Sequence, residues 1–346
     1  MKKLLFAIII LSLSASVIFA GGRRDVAVND GRLNVVTSIF PAFDFVREIA
    51  GDRVNLTMLI APGAESHSFE PSPRDIITIN NSDVFIYTGG DKERWINRIL
   101  HSLNNDNIRV FAMVDMVDLL EEEFVEGMDH GHDHHHAHGH DHHHHAHGHH
   151  HGHHHAHAHG HHHHAHDHGE HHYDTHVWTS PRNAIQIVRA ITDALSEADP
   201  ANAYFFRQNA AAYIEELQRL DQAFAEVVNN AARQTIIVGD RFPFRYFTDA
   251  YGLTYFAAFS GCSTLTDASP ATIAFLINRV RDEQIPVVFH IELSNELIAN
   301  VIAEETGARK LLLHSAHNVS WADFNAGLSY LEIKRRNVDN LRIALN

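Results

Sequence analysis

Six histidines stand apart from all others in this sequence: His67, His101, His176, His290, His314 and His317. A neutral imidazole is a nitrogen donor for transition metals, and a nearby carboxylate supplies an oxygen donor and negative charge. In open parallel sheets, ligands sit at the carboxyl ends of the strands, and several of these residues fall there. His67 lies on the loop after the second predicted strand. His176 precedes a helix opened by Pro181. Asp240 ends the strand Thr235–Gly239. Glu292 ends Val287–Ile291, with His290 one step inside it. His314 ends the strand that begins at Arg309, and His317 follows three residues later. Several imidazoles with a carboxylate suit a zinc-sized divalent cation. Each residue also has a plainer reading. Asp240 could cap the following helix or pair with Arg241 or Arg245. Glu292 could orient a ligand imidazole instead of binding metal, and His314 could be a core histidine satisfied by backbone. His290 and His317 are read as structural or supporting residues, His101 as solvent-exposed, and Cys262 as a turn residue. No H-E-x-x-H stretch occurs, and no nucleophile–base pairing is visible, so binding is expected and catalysis is not.

The remaining 28 of the 34 histidines lie between His130 and His172, spaced by Gly, Ala and Asp. Such a tract is a multidentate pool for Zn²⁺, Cu²⁺ or Ni²⁺. With no apolar periodicity it cannot offset the entropy of ordering, so residues 121–173 are expected to be disordered without metal. The rest of the chain excludes several classes. Its 43 acidic against 27 basic residues, net charge −16, argue against a sequence-independent grip on nucleic acid. One cysteine excludes a disulfide framework and any Cys-rich zinc module, so a transition-metal site must use nitrogen and oxygen. Lys2 and Lys3 precede an apolar run, Leu4 to Phe19, and Ala20 offers a cleavage point before Gly21 and Gly22. Residues 1–20 therefore read as a signal peptide, and the absence of a following Cys argues against a lipid anchor.

The elements that must position these residues alternate. Leu33 to Phe40 reads as a buried strand, Pro41 to Ala50 as a helix, Val54 to Ile60 as a strand, Pro73 to Asn80 as a helix start. Val84–Thr88 and Ile108–Val114 read as strands around a helix from Trp95 to Leu103. A helix follows from Pro181 to about Glu197. Asn202 to Asn229 carries Phe205, Ala212, Ile214, Leu217, Leu220 and Phe224 at helix-like spacing. Alternation then resumes: strands at Thr235, Leu253, Val287 and Arg309, helices at Tyr246, Thr272, Leu297 and from Trp321 onward. The fold class is α/β, with two lobes, each a central, mostly parallel sheet flanked by helices. The first lobe covers 33–180, a helical connection with a long backbone helix covers 181–230, and the second lobe covers 231–346.

Val36-Thr-Ser-Ile-Phe-Pro41, Arg47-Glu-Ile-Ala-Gly-Asp-Arg-Val54, Ala61-Pro-Gly-Ala-Glu-Ser-His-Ser-Phe-Glu-Pro-Ser-Pro-Arg-Asp75 and Asp174-Thr-His-Val-Trp-Thr-Ser-Pro181 together resemble the ZnuA/TroA-like solute-binding proteins of zinc and manganese ABC importers. The resemblance spans essentially the whole mature chain, including a His-rich insertion. It implies that His67 and His176 bind the metal. The family's third ligand, a His at the end of the first strand of the second lobe, has no counterpart in Val238-Gly-Asp-Arg-Phe-Pro-Phe-Arg-Tyr-Phe247. Asp240 takes that place if one residue is inserted, Arg241 if none is. A guanidinium cannot ligate a cation, so Asp240 is the expectation. The family's fourth position follows the last strand, and His314 stands there. The resemblance further implies a monomeric periplasmic protein that captures Zn²⁺ and delivers it to an inner-membrane permease with a cytoplasmic ATPase. Manganese, which prefers more oxygen ligands, is the less favoured cargo. Zinc storage by the His-rich tract is the alternative function.

Overall fold

The structure, a computed structural model, describes residues 30–65, 69–90, 94–105, 107–128, 172–261, 263 and 267–346. The expected signal peptide, His67, Cys262 and most of the His-rich tract lie outside the described residues. Residues 33–346 form one compact unit.

β-Branched runs make the strands of the first sheet: β1 (Leu33–Thr37), β2 (Val54–Met58), β3 (Val84–Tyr87) and β4 (Arg109–Ala112), in the order β2-β1-β3-β4. The second sheet repeats that topology with β5 (Thr235–Phe242), β6 (Thr254–Ser260), β7 (Val287–His290) and β8 (Arg309–Leu312), in the order β6-β5-β7-β8. Every pairing is parallel, so helices must cross over and cover both faces. Alternate residues serve different layers. Val35, Ile236, Val238 and Phe289 face a core shared by both sheets. Val36 and Phe85 face the outer helices of the first sheet, and Ile237 and Val288 those of the second.

In the first lobe the helices are α1 (Phe40–Ala50), α2 (Pro73–Asn80) and α3 (Arg94–Leu100). Then come α4 (Pro181–Ala198) and α5 (Ala203–Asn229), and in the second lobe α6 (Arg245–Tyr251), α7 (Pro270–Asp282), α8 (Leu297–Thr306), α9 (Trp321–Asn325) and α10 (Tyr330–Leu345). The long helix α5 has 27 residues, about 40 Å. Its stripe of Phe206, Ala210, Tyr213, Leu217, Leu220, Phe224 and Val227 is buried along its whole length in the shared core.

Two details depart from the sequence reading. The terminal helix is broken in two. Gly327 takes a left-handed conformation (φ 76°), and Ser329 with Glu332 forms a capping box that restarts the chain as α10. The strand from Thr235 also runs on past Gly239 to Phe242. It carries a bulge, since Val238 pairs with Ala257 but Arg241 with Phe259, one extra residue on β5.

The lobes are joined by more than α5. Tyr330, the first residue of α10, packs edge-on against Phe45 of α1 at 5.0 Å and donates its backbone N–H to Asp44 Oδ2 at 2.8 Å. A strap formed by residues 120–128 and 172–174 crosses to the second lobe. Glu121 and Tyr173 form an antiparallel bridge. Tyr246 Oη accepts from Leu120 N (3.2 Å) and donates to Asp174 O (2.7 Å). Glu123 pairs with Arg245, Glu126 with Arg279. Residues 121–128 and 172–173, expected to belong to the disordered tract, are thus packed. The tract's histidine-rich interior, 129–171, lies outside the described residues.

Candidate metal centre

A cavity of about 80 Å³ opens where the carboxyl ends of β5 and β7 meet the loop after β8 and the segment before α4. It has room for an ion with a few donor atoms, but not for an organic solute, whose pockets run to roughly 300–1,000 Å³. Its walls include Glu65, His176, Arg241, Gly261, Glu292 and His317.

His176 is 1% exposed. Its position follows from Asp174, whose Oδ1 accepts the His176 backbone N–H at 2.7 Å and lies 2.9 Å from Nδ1. A carboxylate on Nδ1 fixes the tautomer with the proton there and makes Nε2 the lone-pair side of the ring. Beyond His176 the chain makes one 3₁₀ turn, Val177–Thr179, and Pro181 opens α4. The His176 ring meets that of His317 edge-to-face at 5.5 Å, and Trp178 closes the group at 5.1 Å from His317 and 5.5 Å from His176. Gly261 borders the imidazole: a Cβ there would lie 3.1 Å from His176 Cε1 and 2.8 Å from Phe242 O.

The loop that presents His317 is anchored on all sides. Glu292 accepts from Ser315 N at 2.7 Å and from Ser315 Oγ, and takes the His317 backbone N–H at 3.0 Å. Burial works against its charge. His314 and the Ser315 donors oppose burial and hold the Glu292 carboxyl below the usual range. Burial also lowers His314, with the Glu292 carboxylate opposing. Trp178 Nε1 donates to Ser315 O at 3.1 Å. Lys334 Nζ donates to Ser315 O at 3.0 Å and to His314 O at 3.3 Å. Ala316, fully buried, adopts φ 67°, a conformation uncommon for a side chain with Cβ and sustained by these surrounding bonds.

The expected ligands therefore separate. His176 lies in the cavity wall. Glu292 lines it too, with its oxygens committed to the loop. His314 does not line it: its Nδ1 accepts from Ala316 N at 3.0 Å, its N–H and C=O are bonded to Asn337, and it shapes the loop. Asp240 is also outside. Its Oδ1 accepts from Arg241 N at 2.8 Å, and Ser294 and His290 are its other neighbours. The bulge explains this, because the extra residue turns Asp240 away and brings Arg241 to the cavity. Arg241 Nη2 donates to Glu65 Oε2 at 3.1 Å. His67 lies outside the described residues, but the loop leading to it is docked at the cavity. Asn318 Nδ2 donates to Ala61 O (2.8 Å) and Ala64 O (2.9 Å), and Gly63 N to Val319 O (2.7 Å). Among the described residues no three His, Cys, Asp or Glu side chains form a metal-holding group. His101 is exposed, as expected. His317, which the sequence reads as structural or supporting, lines the cavity, and its position after the last strand is the same signal that His314 carries.

The model of the ZnuA family, zinc-uptake complex component A, periplasmic, matches residues 35–344. The zinc-binding lipoprotein AdcA of Streptococcus pneumoniae serotype 4 is 32% identical over 344 residues, 99% of this chain and 61% of the relative. The chain thus spans about three-fifths of that protein's length. The high-affinity zinc uptake system protein ZnuA of Bacillus subtilis is 27% identical over 91% of this chain and 88% of its own. The crystal structure of the Zn(II)-bound ZnuA-like domain of pneumococcal AdcA is similar with a TM-score of 0.68 and 28% identity, covering 91% of this chain and 99% of that one. The family pattern runs from the first strand to the end of the last helix, and on that ground the chain belongs to the ZnuA family.

Proposed function

We propose that the protein captures Zn²⁺ in this cavity and delivers it to an inner-membrane ABC permease driven by a cytoplasmic ATPase. The observation that carries the reading is the His176–His317 pair in the wall of a cavity of ion size, with Asp174 bonded to Nδ1 of His176. The ligands are His67, His176 and His317. Glu292 locks the loop that bears His317, while Asp240 and His314 serve the scaffold. Imidazole donors favour zinc over manganese, which takes more oxygen. The family to which the chain belongs consists of solute-binding components of metal transport, not enzymes. Binding here is capture. A ring held by a buried carboxylate loses little freedom when it coordinates, which favours tight retention. Export with cleavage at Ala20, a periplasmic location without a lipid anchor and a monomeric state complete the proposal. Among the described residues no helix is long and apolar enough to cross a membrane.

Zinc titration against a chelator tests the ligand set in a variant lacking residues 129–171, whose flanks already meet at the Glu121–Tyr173 bridge. Substitution of His67, His176 or His317 by Ala lowers affinity by several orders of magnitude, while Asp240→Ala and His314→Ala change it far less. If tight binding disappears with the segment itself, the protein is a zinc buffer and the cavity reading fails.

A further inference from the structure

The two cavity imidazoles come from separate stretches of chain, His176 from the segment before α4 and His317 from the loop after β8. Their ring centroids lie 5.5 Å apart. With zinc–nitrogen bonds of about 2.0–2.1 Å and roughly 1.15 Å from nitrogen to ring centre, a tetrahedral angle sets two imidazoles about 5.2 Å apart. The right angle of an octahedral ion, even with bonds about 0.2 Å longer, brings them to about 4.8 Å. The spacing in the protein matches the tetrahedral value. Trp178 ties the two rings together. It is fully buried and meets both edge-on, its centroid 5.5 Å from His176 and 5.1 Å from His317. Its place relative to His176 is fixed by the 3₁₀ turn, where Thr179 N and Oγ1 donate to His176 O at 3.1 and 2.8 Å. Its place relative to His317 is fixed by the indole Nε1, which donates at 3.1 Å to the carbonyl of Ser315 in the same loop. Tyr330 Oη donates to Trp178 O at 2.6 Å and pins the backbone between them. A rigid plane with an N–H donor is spacer and anchor in one side chain. Phenylalanine would lack the donor, and leucine the plane.

We infer that Trp178 is the positioning residue of the cavity: it holds His176 and His317 at the spacing of a tetrahedral ion and so sets the preference for zinc over ions that demand octahedral geometry. This rests on the function proposed above, and within it only on the two imidazoles in the cavity wall. Selectivity among divalent ions follows geometry as well as donor type. A pair free to close by roughly half an ångström accommodates an octahedral ion, whereas a held pair resists it. Loosening the spacer therefore costs zinc more than manganese. Trp178 touches no ion; it acts through the two histidines.

Chelator competition with Zn²⁺ and with Mn²⁺ on the full chain tests this in Trp178→Phe and Trp178→Leu. The first keeps an aromatic ring and removes the N–H donor; the second removes the ring as well. Zinc affinity falls about tenfold in the first and about a hundredfold in the second, the range for residues that orient ligand imidazoles. Manganese affinity changes by less than about threefold, so the ratio between the two ions narrows. Co²⁺ at less than one equivalent fills the tightest site first, and its four-coordinate visible band weakens in both variants. Phe206→Leu, fully buried on α5 away from the cavity walls, controls for lost stability: its melting temperature falls while the zinc-to-manganese ratio stays that of the parent. Parental zinc affinity and ratio in both Trp178 variants overturn the inference, as does an equal loss for the two ions. Should Trp178→Leu not fold, Trp178→Phe decides by the same outcomes. Tight zinc binding that survives both His176→Ala and His317→Ala overturns the proposed function together with this inference. Binding lost with those histidines but unchanged in the Trp178 variants overturns the inference alone.

Discussion

Replacing Lys334 by Met should stabilise the protein and weaken its site. Lys334 is 1% exposed on α10, with its ammonium against the carbonyls of Ser315 and His314 and 5.4 Å from the Tyr330 ring centroid. Burial pushes its pKa down to about 7 from 10.5, with Glu292 opposing. Between those values the unfolded chain holds a proton that the folded chain has released. Stability contributed by this position therefore rises with pH from 7 to 10.5, and the full cost of burying the charge is borne below pH 7. At 1.36 kcal/mol per pKa unit that cost is about 5 kcal/mol. Met removes it and forfeits two hydrogen bonds, worth about 1 kcal/mol each. Neither carbonyl is orphaned: Ser315 O keeps Trp178 Nε1 and His314 O keeps Asn337 Nδ2. The net expectation is a gain of about 3 kcal/mol at pH 6 that vanishes near pH 9 and becomes a loss of about 1 kcal/mol at pH 10. Urea unfolding of the metal-free protein, followed by circular dichroism at pH 6 and pH 10, measures it. A variant less stable than the parent at pH 6, or a difference that does not vary with pH, refutes the argument. Zinc affinity moves the other way, because the loop bearing His317 loses two of its anchors, so a stability gain is set against function.

Asp44 gives the complementary pH dependence. Burial outweighs Arg47 and raises its pKa to about 7 from 3.8, so the folded state keeps a proton that the unfolded state gives up. Stability falls as pH rises from about 4 to 7, by about 4 kcal/mol in all, and Asp44→Asn flattens that slope in an unfolding series across pH. Gly261→Ala puts a methyl group 2.8 Å from Phe242 O and 3.1 Å from His176 Cε1. Displacement of the imidazole should lower zinc affinity about tenfold, and an unchanged chelator titration would show that His176 does not bind. Gly127→Ala adds a Cβ 2.1 Å from the Phe275 ring at a φ of 83°, which should lift the strap. Amide exchange at Glu122 and Asp174, both bonded across it, then accelerates while that of β5 does not.

The alternating layers were legible because β-branched runs and a two-residue period report which faces are buried. Val35 and Val36 do enter different cores. The long helix was legible from its apolar stripe. What escaped was conformation decided by partners distant in sequence. The bulge that exchanges Asp240 for Arg241 exists only in the register of β5 on β6. His314 and His317 follow the same strand, and a left-handed Ala316 together with Glu292, 25 residues before His317, determines which of them reaches the cavity. Glu292 lines the cavity, but its oxygens are used by backbone and hydroxyl donors that no spacing rule reveals. The end of α9 was missed because Gly327 and the Ser329 capping box lie within a segment that otherwise reads as continuous helix.

The strap gives the insertion a particular evolutionary freedom. Its two ends are joined by Glu122 N to His172 O at 2.8 Å and Asp174 N to Leu120 O at 3.0 Å, so everything between leaves and re-enters the protein at one point. Lengthening such a closed loop costs only about 0.6 kcal/mol per doubling for a flexible chain. The number of histidines between those ends can therefore change at little cost to the fold.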